Sequence, residues 1–337
     1  MKQNGTGVVD TAKTTRLIRA RDISSIVQMA LLTAISWIVP ERRWPSIARD
    51  LARVVLRLKS RPGSTQLPSQ WLMFVDGIKT TVLSRLPASS LAHRYVARMQ
   101  GFREFRPGGW GPEIQIEGAK HIEWALSQGH GVVLWVAGFV YSDLVTKKGL
   151  HEAGYLVSHL SRPTHGISPT RFGIRILNPF WTRIENRYLA ERVVIRNNDS
   201  RAALAVLRAR LKEGRIVSIT VGDQARRTAE VNLLSTTVRI ATGPLHLART
   251  MNAVLLPVFT VIRKTGTIVV NVEGPLIGGG DEQGKAYECL AQCYARKLEG
   301  YLQQYPDQWN QSWAIADSHS NSRRHKGRPT KPGSSLR

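Results

Sequence analysis

Cysteine and acid are what this sequence has least of. Only two cysteines occur, Cys289 and Cys293. Their i, i+4 spacing places them on one face of a helix. No further Cys or His stands near them at ligand spacing, so neither a disulfide framework nor a zinc site is expected. The expectation is two small buried apolar residues in a reducing compartment. Acid is scarce relative to base: 24 Asp and Glu stand against 48 Lys and Arg, a net charge of +24. That excess attracts anionic partners without dictating a fold. Nucleic acid is the disfavoured partner, because no helix-turn-helix, zinc or RNA-recognition pattern accompanies the charge. Gly278-Gly279-Gly280 lacks the Gly-Lys-Ser/Thr ending of a phosphate loop and reads as a turn.

What is present begins with an apolar segment. Residues 1–22 are polar and basic; Ile23 to Val39 then runs 17 residues without a charge. That length is at the lower limit for a spanning helix, and both a short membrane anchor and an interfacial or buried helix fit it. No cleavage site of small residues follows, so a removed signal peptide is not expected. Pro45 suits the first turn of a further helix. Along it Trp44, Ile47, Ala48, Leu51, Val54, Val55 and Leu58 recur at helical spacing, opposite Arg49, Arg53, Arg57, Lys59 and Arg61. A basic amphipathic helix beside an apolar segment reads as a membrane-surface element, with an ordinary solvated face as the plain alternative. Another helical stretch, Trp71 to Leu83, ends before Pro87.

From about residue 114 the pattern alternates between strands and helices. Short β-branched runs are Val132–Val136, Tyr155–Val157, Val193–Ile195, Ile216–Val221, Val254–Val261 and Ile268–Val270. Helical patterns cover Ala119–Ser127, Asp143–Ala153, Arg201–Lys212 and Pro244–Met251, and a last one runs from Lys285 to Tyr301. The expected fold class is α/β, a mostly parallel sheet covered by helices. Four segments follow: 1–22 basic, 23–62 membrane-docking, 63–316 α/β domain, and 317–337 a tail with six basic residues and no acid after Asp317, expected to be disordered.

Ligands in such sheets sit beyond the carboxyl ends of the strands. After the first strong strand the chain reads Gly138-Phe139-Val140-Tyr141-Ser142-Asp143 and enters a helix. This turn resembles that of the lysophospholipid acyltransferase superfamily, and within it the bacterial lipid A (lauroyl/myristoyl) acyltransferases. Further blocks carry the resemblance in order: Glu117-Gly118 with Gly131-Val132-Val133, Leu211-Lys212-Glu213-Gly214 with Gly222-Asp223-Gln224, Thr242-Gly243-Pro244 with Leu255-Leu256-Pro257-Val258-Phe259, and Tyr305-Pro306-Asp307-Gln308-Trp309. With the apolar N-terminal stretch holding Trp37 and Pro40 and the basic helix after it, which resemble the family's membrane-docking start, they cover roughly residues 15–313. The resemblance implies acyl transfer from an acyl carrier protein thioester to a glycolipid or similar hydroxyl or amine. It places the protein on the cytoplasmic face of a bacterial inner membrane, against anionic lipid. No metal or redox cofactor is implied.

The family carries a His, four residues and an acid at this turn, the His as general base and the acid orienting it. Here Gly138 stands at the His position and Asp143 keeps the acid. Three readings stay open. His159 or His165, from the next strand and its loop, substitutes for the base. Or the protein binds lipid or carrier without catalysis. Or substrate or water assists, with Asp143 a weak base, since a carboxylate with pKa of about 4 poorly deprotonates an alcohol. Arg162, Arg171 and Arg175 are candidate phosphate-binding residues; solvated surface arginines are the alternative. Asp223 and Gln224 belong to the site by resemblance, or simply cap a turn. His246, inside a helix, is read as structural.

Overall fold

The computed structural model describes residues 20–59, 83–196, 199–222, 225–276, 283–311 and 313. Three helices come first: α1 (Ala20–Ile38), α2 (Trp44–Lys59) and α3 (Leu86–Arg103). Next come β1 (Ile114–Glu117), α4 (Ala119–Ser127), β2 (Val132–Val136), α5 (Val145–Glu152) and β3 (Val157–Ser161). They are followed by α6 (Asn178–Glu185), β4 (Glu191–Val194), α7 (Arg201–Lys212) and β5 (Ile216–Thr220). The chain continues through β6 (Thr228–Leu233), β7 (Thr236–Ala241), α8 (Gly243–Thr250), β8 (Val254–Ile262), β9 (Ile268–Val272) and α9 (Gln283–Gln304).

Seven strands form one sheet in the order β1-β9-β8-β2-β5-β3-β4. Every neighbouring pair is parallel except β8 and β9, which form a hairpin. The expected α/β class holds. β2 is buried along its whole length, as a central strand covered on both faces must be. Its side chains alternate: Val133 and Trp135 join the core with α7, α8 and α9, while Val132, Leu134 and Val136 join the core that includes α4 and α5. That second core also takes in Leu32, Trp44, Ala48, Ala52 and Met99, so α1 to α3 pack onto the same layer.

α1 is apolar on both faces. Leu32, with Met29 and Ile35 beside it, faces the core, and an outward stripe at helical spacing is apolar too: Ile23, Ile26, Val27, Ala30, Leu31, Ala34, Trp37 and Ile38. Asp22 and Ser36 are buried along with Leu32. The Asp22 carboxylate accepts hydrogen bonds from Ser168 Oγ (2.6 Å) and Thr170 Oγ1 (3.0 Å). The free carbonyls at the end of α1 accept from Arg103 and Arg106, cations placed at the negative end of the helix dipole. α2 buries Trp44, Ala48 and Ala52 yet leaves Val54 and Leu58 exposed, narrower burial than its apolar spacing suggested.

Two expectations need correction. Cys289 is exposed and Cys293 half-buried, because the face of α9 that carries them lies outside the core lined by Ala291, Tyr294 and Leu298. The strand expected at Tyr155–Val157 begins only at Val157: Tyr155 N bonds back to Leu150 O after Gly154, whose φ is 85°, and Leu156 is exposed. The helix expected at Trp71–Leu83, the Gly278–Gly280 turn and the basic tail lie outside the described residues, Leu83 apart.

Candidate functional site

In the sheet order, β2, β5 and β3 are adjacent, and their carboxyl ends open on one cleft of about 270 Å³. Gly138, Phe139 and Asp143 line it from the turn after β2, Thr220 from β5, His159 from β3, Arg162 and His165 from the loop beyond β3, and Asn310 and Gln311 from the C-terminal segment. Five of the nine site residues read from the sequence thus converge. Arg171 lies exposed and outside this lining, as does Arg175. Asp223 and Gln224 fall outside the described residues.

The turn after β2 is held by backbone pairing. Val140 N donates to Gln308 O (2.7 Å), and Asn310 N to Gly138 O (3.1 Å). Ser142 Oγ donates to Ala137 O, and Phe139 packs edge-on against the buried Trp309. Gly138 is not open space. A Cβ there would lie 2.1 to 2.4 Å from Gln311 side-chain atoms. Gln311 Nε2 donates to Val221 O (2.8 Å), and its Oε1 accepts from Trp313 Nε1 (2.9 Å). The carboxamide therefore occupies the room that a larger residue at 138 would need.

Beneath the opposite wall lies a buried charge cluster. Glu185, fully buried at the end of α6, accepts from Lys147 Nζ (2.7 Å), from His165 Nε2 (2.9 Å) and from Arg192. Burial alone would raise the Glu185 pKa; Lys147, His165 and Arg192 overcome it and hold the carboxyl well below its usual range. Lys147 Nζ also donates to the Asp143 backbone carbonyl (2.6 Å), joining the two walls. For His165, burial disfavours the imidazolium, but Asp143 and Glu185 outweigh burial and raise its pKa. His159 pairs across the sheet with Ser218, its Nδ1 2.8 Å from Ser218 Oγ. Burial, aided by Lys147, drives its pKa well below 6.5, so it is neutral. Among the described residues the Asp143 carboxylate accepts no hydrogen bond. His246 lies away from the cleft, against Arg227 and Tyr287.

Glu185, Lys147, Arg192 and Gln311 were not singled out from the sequence. Glu185 stands 20 residues from His165 with no motif between them, and only the fold joins the two.

The model of the bacterial lipid A biosynthesis acyltransferases matches residues 87–311, about two thirds of the chain. The chain belongs to that family. Every described residue lining the cleft lies within the matched stretch. No curated protein matches the chain at a significant level. Lipid A acyltransferases are membrane-associated. Among the described residues of this member, no helix is long and apolar enough to cross a membrane.

Proposed function

We propose that this lipid A-type acyltransferase moves a fatty acyl group from an acyl carrier protein thioester to a hydroxyl or amine of a glycolipid, at the cytoplasmic face of the bacterial inner membrane. The observation that carries the reading is the family match spanning the whole described cleft, which sits where α/β sheets take ligands. In the reaction the acceptor oxygen or nitrogen attacks the thioester carbonyl carbon. The C–S bond then breaks, and the acceptor's proton ends on the departing thiolate. Arg162 lines the cleft with a guanidinium suited to an acidic carrier or a lipid phosphate. Docking rests on the outward apolar stripe of α1, with exposed Arg42, Arg43 and Arg49 nearby in the chain. Each basic side chain at an anionic surface adds about 1 kcal/mol.

A second reading, binding of carrier or lipid without transfer, is favoured by one observation: the Gln311 side chain fills the space at Gly138. The test is radiolabelled acyl transfer from carrier thioester to glycolipid in detergent. Wild type should transfer, and Asp143→Ala should transfer far less. A wild type that binds carrier but transfers nothing, while Gly138→His with Gln311→Ala gains turnover, would overturn the enzyme reading.

A further inference from the structure

We propose that His165, held through Nε2 by Glu185, is the general base of this cleft, in place of a side chain at 138. The proposal rests on the acyl-transfer reading above.

The geometry assigns the protons. Glu185 is fully buried and places both carboxylate oxygens at His165 Nε2, at 2.9 and 3.1 Å. Nε2 therefore carries hydrogen, and in the neutral ring Nδ1 keeps the lone pair. Among the described residues nothing hydrogen-bonds to Nδ1, and His165 lines the cleft with Gly138 and Asp143. A carboxylate on one ring nitrogen and an open basic nitrogen on the other is the arrangement a hydroxyl nucleophile needs.

The loop is held firmly enough to aim that ring. His165 N donates to Arg162 O (3.0 Å). Asn178 accepts from Ile167 N (2.7 Å) and Ser168 N (2.9 Å) and donates to Ser168 O (2.9 Å). Backbone hydrogen bonds on both sides of the imidazole give it the preorganisation that base catalysis requires.

The competing groups are weaker candidates. His159 has Nδ1 engaged by Ser218 and sits among Lys147 and Arg192, surroundings that oppose taking a proton. Asp143 is a carboxylate, a weak base toward an alcohol. The charged and titratable groups around His165 are Asp143, Glu185, Lys147, Arg192, His159 and, on its own loop, Arg162. The two carboxylates dominate, so His165 is a stronger base than free imidazole and acts once deprotonated.

In the step, the acceptor O–H hydrogen passes to Nδ1 as the oxygen bonds to the thioester carbonyl carbon. The tetrahedral intermediate collapses, the C–S bond breaks, and the thiolate takes the proton back from Nδ1. Nothing is oxidised or reduced.

The test uses the full chain in detergent, with acyl carrier thioester and glycolipid. kcat is measured across pH 5.5–9 (roughly one unit below to two or three above the free imidazole pKa) for wild type, His165→Ala and His159→Gln. His165→Ala should lose about 10²–10⁴-fold in kcat with KM little changed. The wild-type rise of kcat with pH should vanish in that variant, and added imidazole should restore part of the rate. The His159→Gln variant should keep the rise. If wild type transfers and His165→Ala keeps its rate within about threefold (well under the least general-base contribution) or the same pH limb, the base assignment is overturned and the acyl-transfer reading stands. If wild type itself transfers nothing, both fall.

Discussion

The turn after β2 and the loop after β3 face each other across one cleft, yet different forces hold them. On the β2 side the ties are backbone hydrogen bonds to residues 308 and 310, the Phe139–Trp309 contact and the wedged Gln311 side chain. Among the described residues, that side carries one ionisable side chain on the cleft, Asp143. On the β3 side a buried carboxylate gathers Lys147, His165 and Arg192. Under the proposal above, the general base stands across the cleft from position 138. A cleft can draw side chains from strands that are not neighbours, here β2 and β3 with β5 between them, because their carboxyl ends open on it together.

The largest expected effects separate the two sides by their response to pH. Glu185→Ala strands the two nearly buried cations Lys147 and Arg192 and should cost about 3–5 kcal/mol. Trp309→Ala should cost a similar amount, about 3–5 kcal/mol, by opening a cavity. The two should differ in pH dependence under urea denaturation. The folded Glu185 pKa is depressed, so its contribution is present above its unfolded pKa of about 4.3 and lost as the pH falls through the depressed value. That acid limb should shrink in Glu185→Ala and persist in Trp309→Ala. Equal limbs would mean that the cluster does not govern the β3 side.

Next in size is the opposition of the two histidines. His159 is held neutral, its folded pKa below the unfolded one, so stability falls as pH drops below about 6.5. The slope is about 1.4 kcal/mol per pH unit for one proton. His165 has a raised folded pKa; its contribution is full below about 6.5 and is lost as the pH rises through the folded value. Together they set an optimum near 6.5. His159→Gln should flatten the acid side alone, and an unchanged slope there would remove His159 from the account.

The smallest effect is at Gln311. Gln311→Ala loses two hydrogen bonds and should cost about 1–2 kcal/mol. It should also make Gly138→Ala tolerable, so that the double variant is more stable than the sum of the singles predicts. Simple additivity would mean that the two residues do not share the space.

The sequence carried some elements to the residue and missed others for physical reasons. β2 and α7 were legible because a wholly apolar run and a strong 3.6-residue period each admit one reading. β3 was misplaced because it is a polar strand: Ser158, His159 and Ser161 are buried by pairing with Glu191, Ser218 and Arg192, partners that no local pattern reveals. The β6–β7 hairpin was missed although Ala229, Val231 and Leu233 alternate with exposed neighbours, a period that could have found it. At the site, the meeting of Gly138, Asp143 and His165 at one cleft was legible from their places after strands. Glu185 and Gln311 were not, since each acts on a residue far away in the chain.

The buried carboxylate on α1 has a practical side. Asp22 is the acceptor for Ser168 and Thr170, three residues and five residues beyond His165. Trimming the first helix to obtain a better-behaved protein would leave those two buried hydroxyls without their acceptor and loosen the stretch that carries the imidazole. A shortened enzyme that stays in solution but turns over slowly would then report a lost clasp, and the residue to restore first would be Asp22.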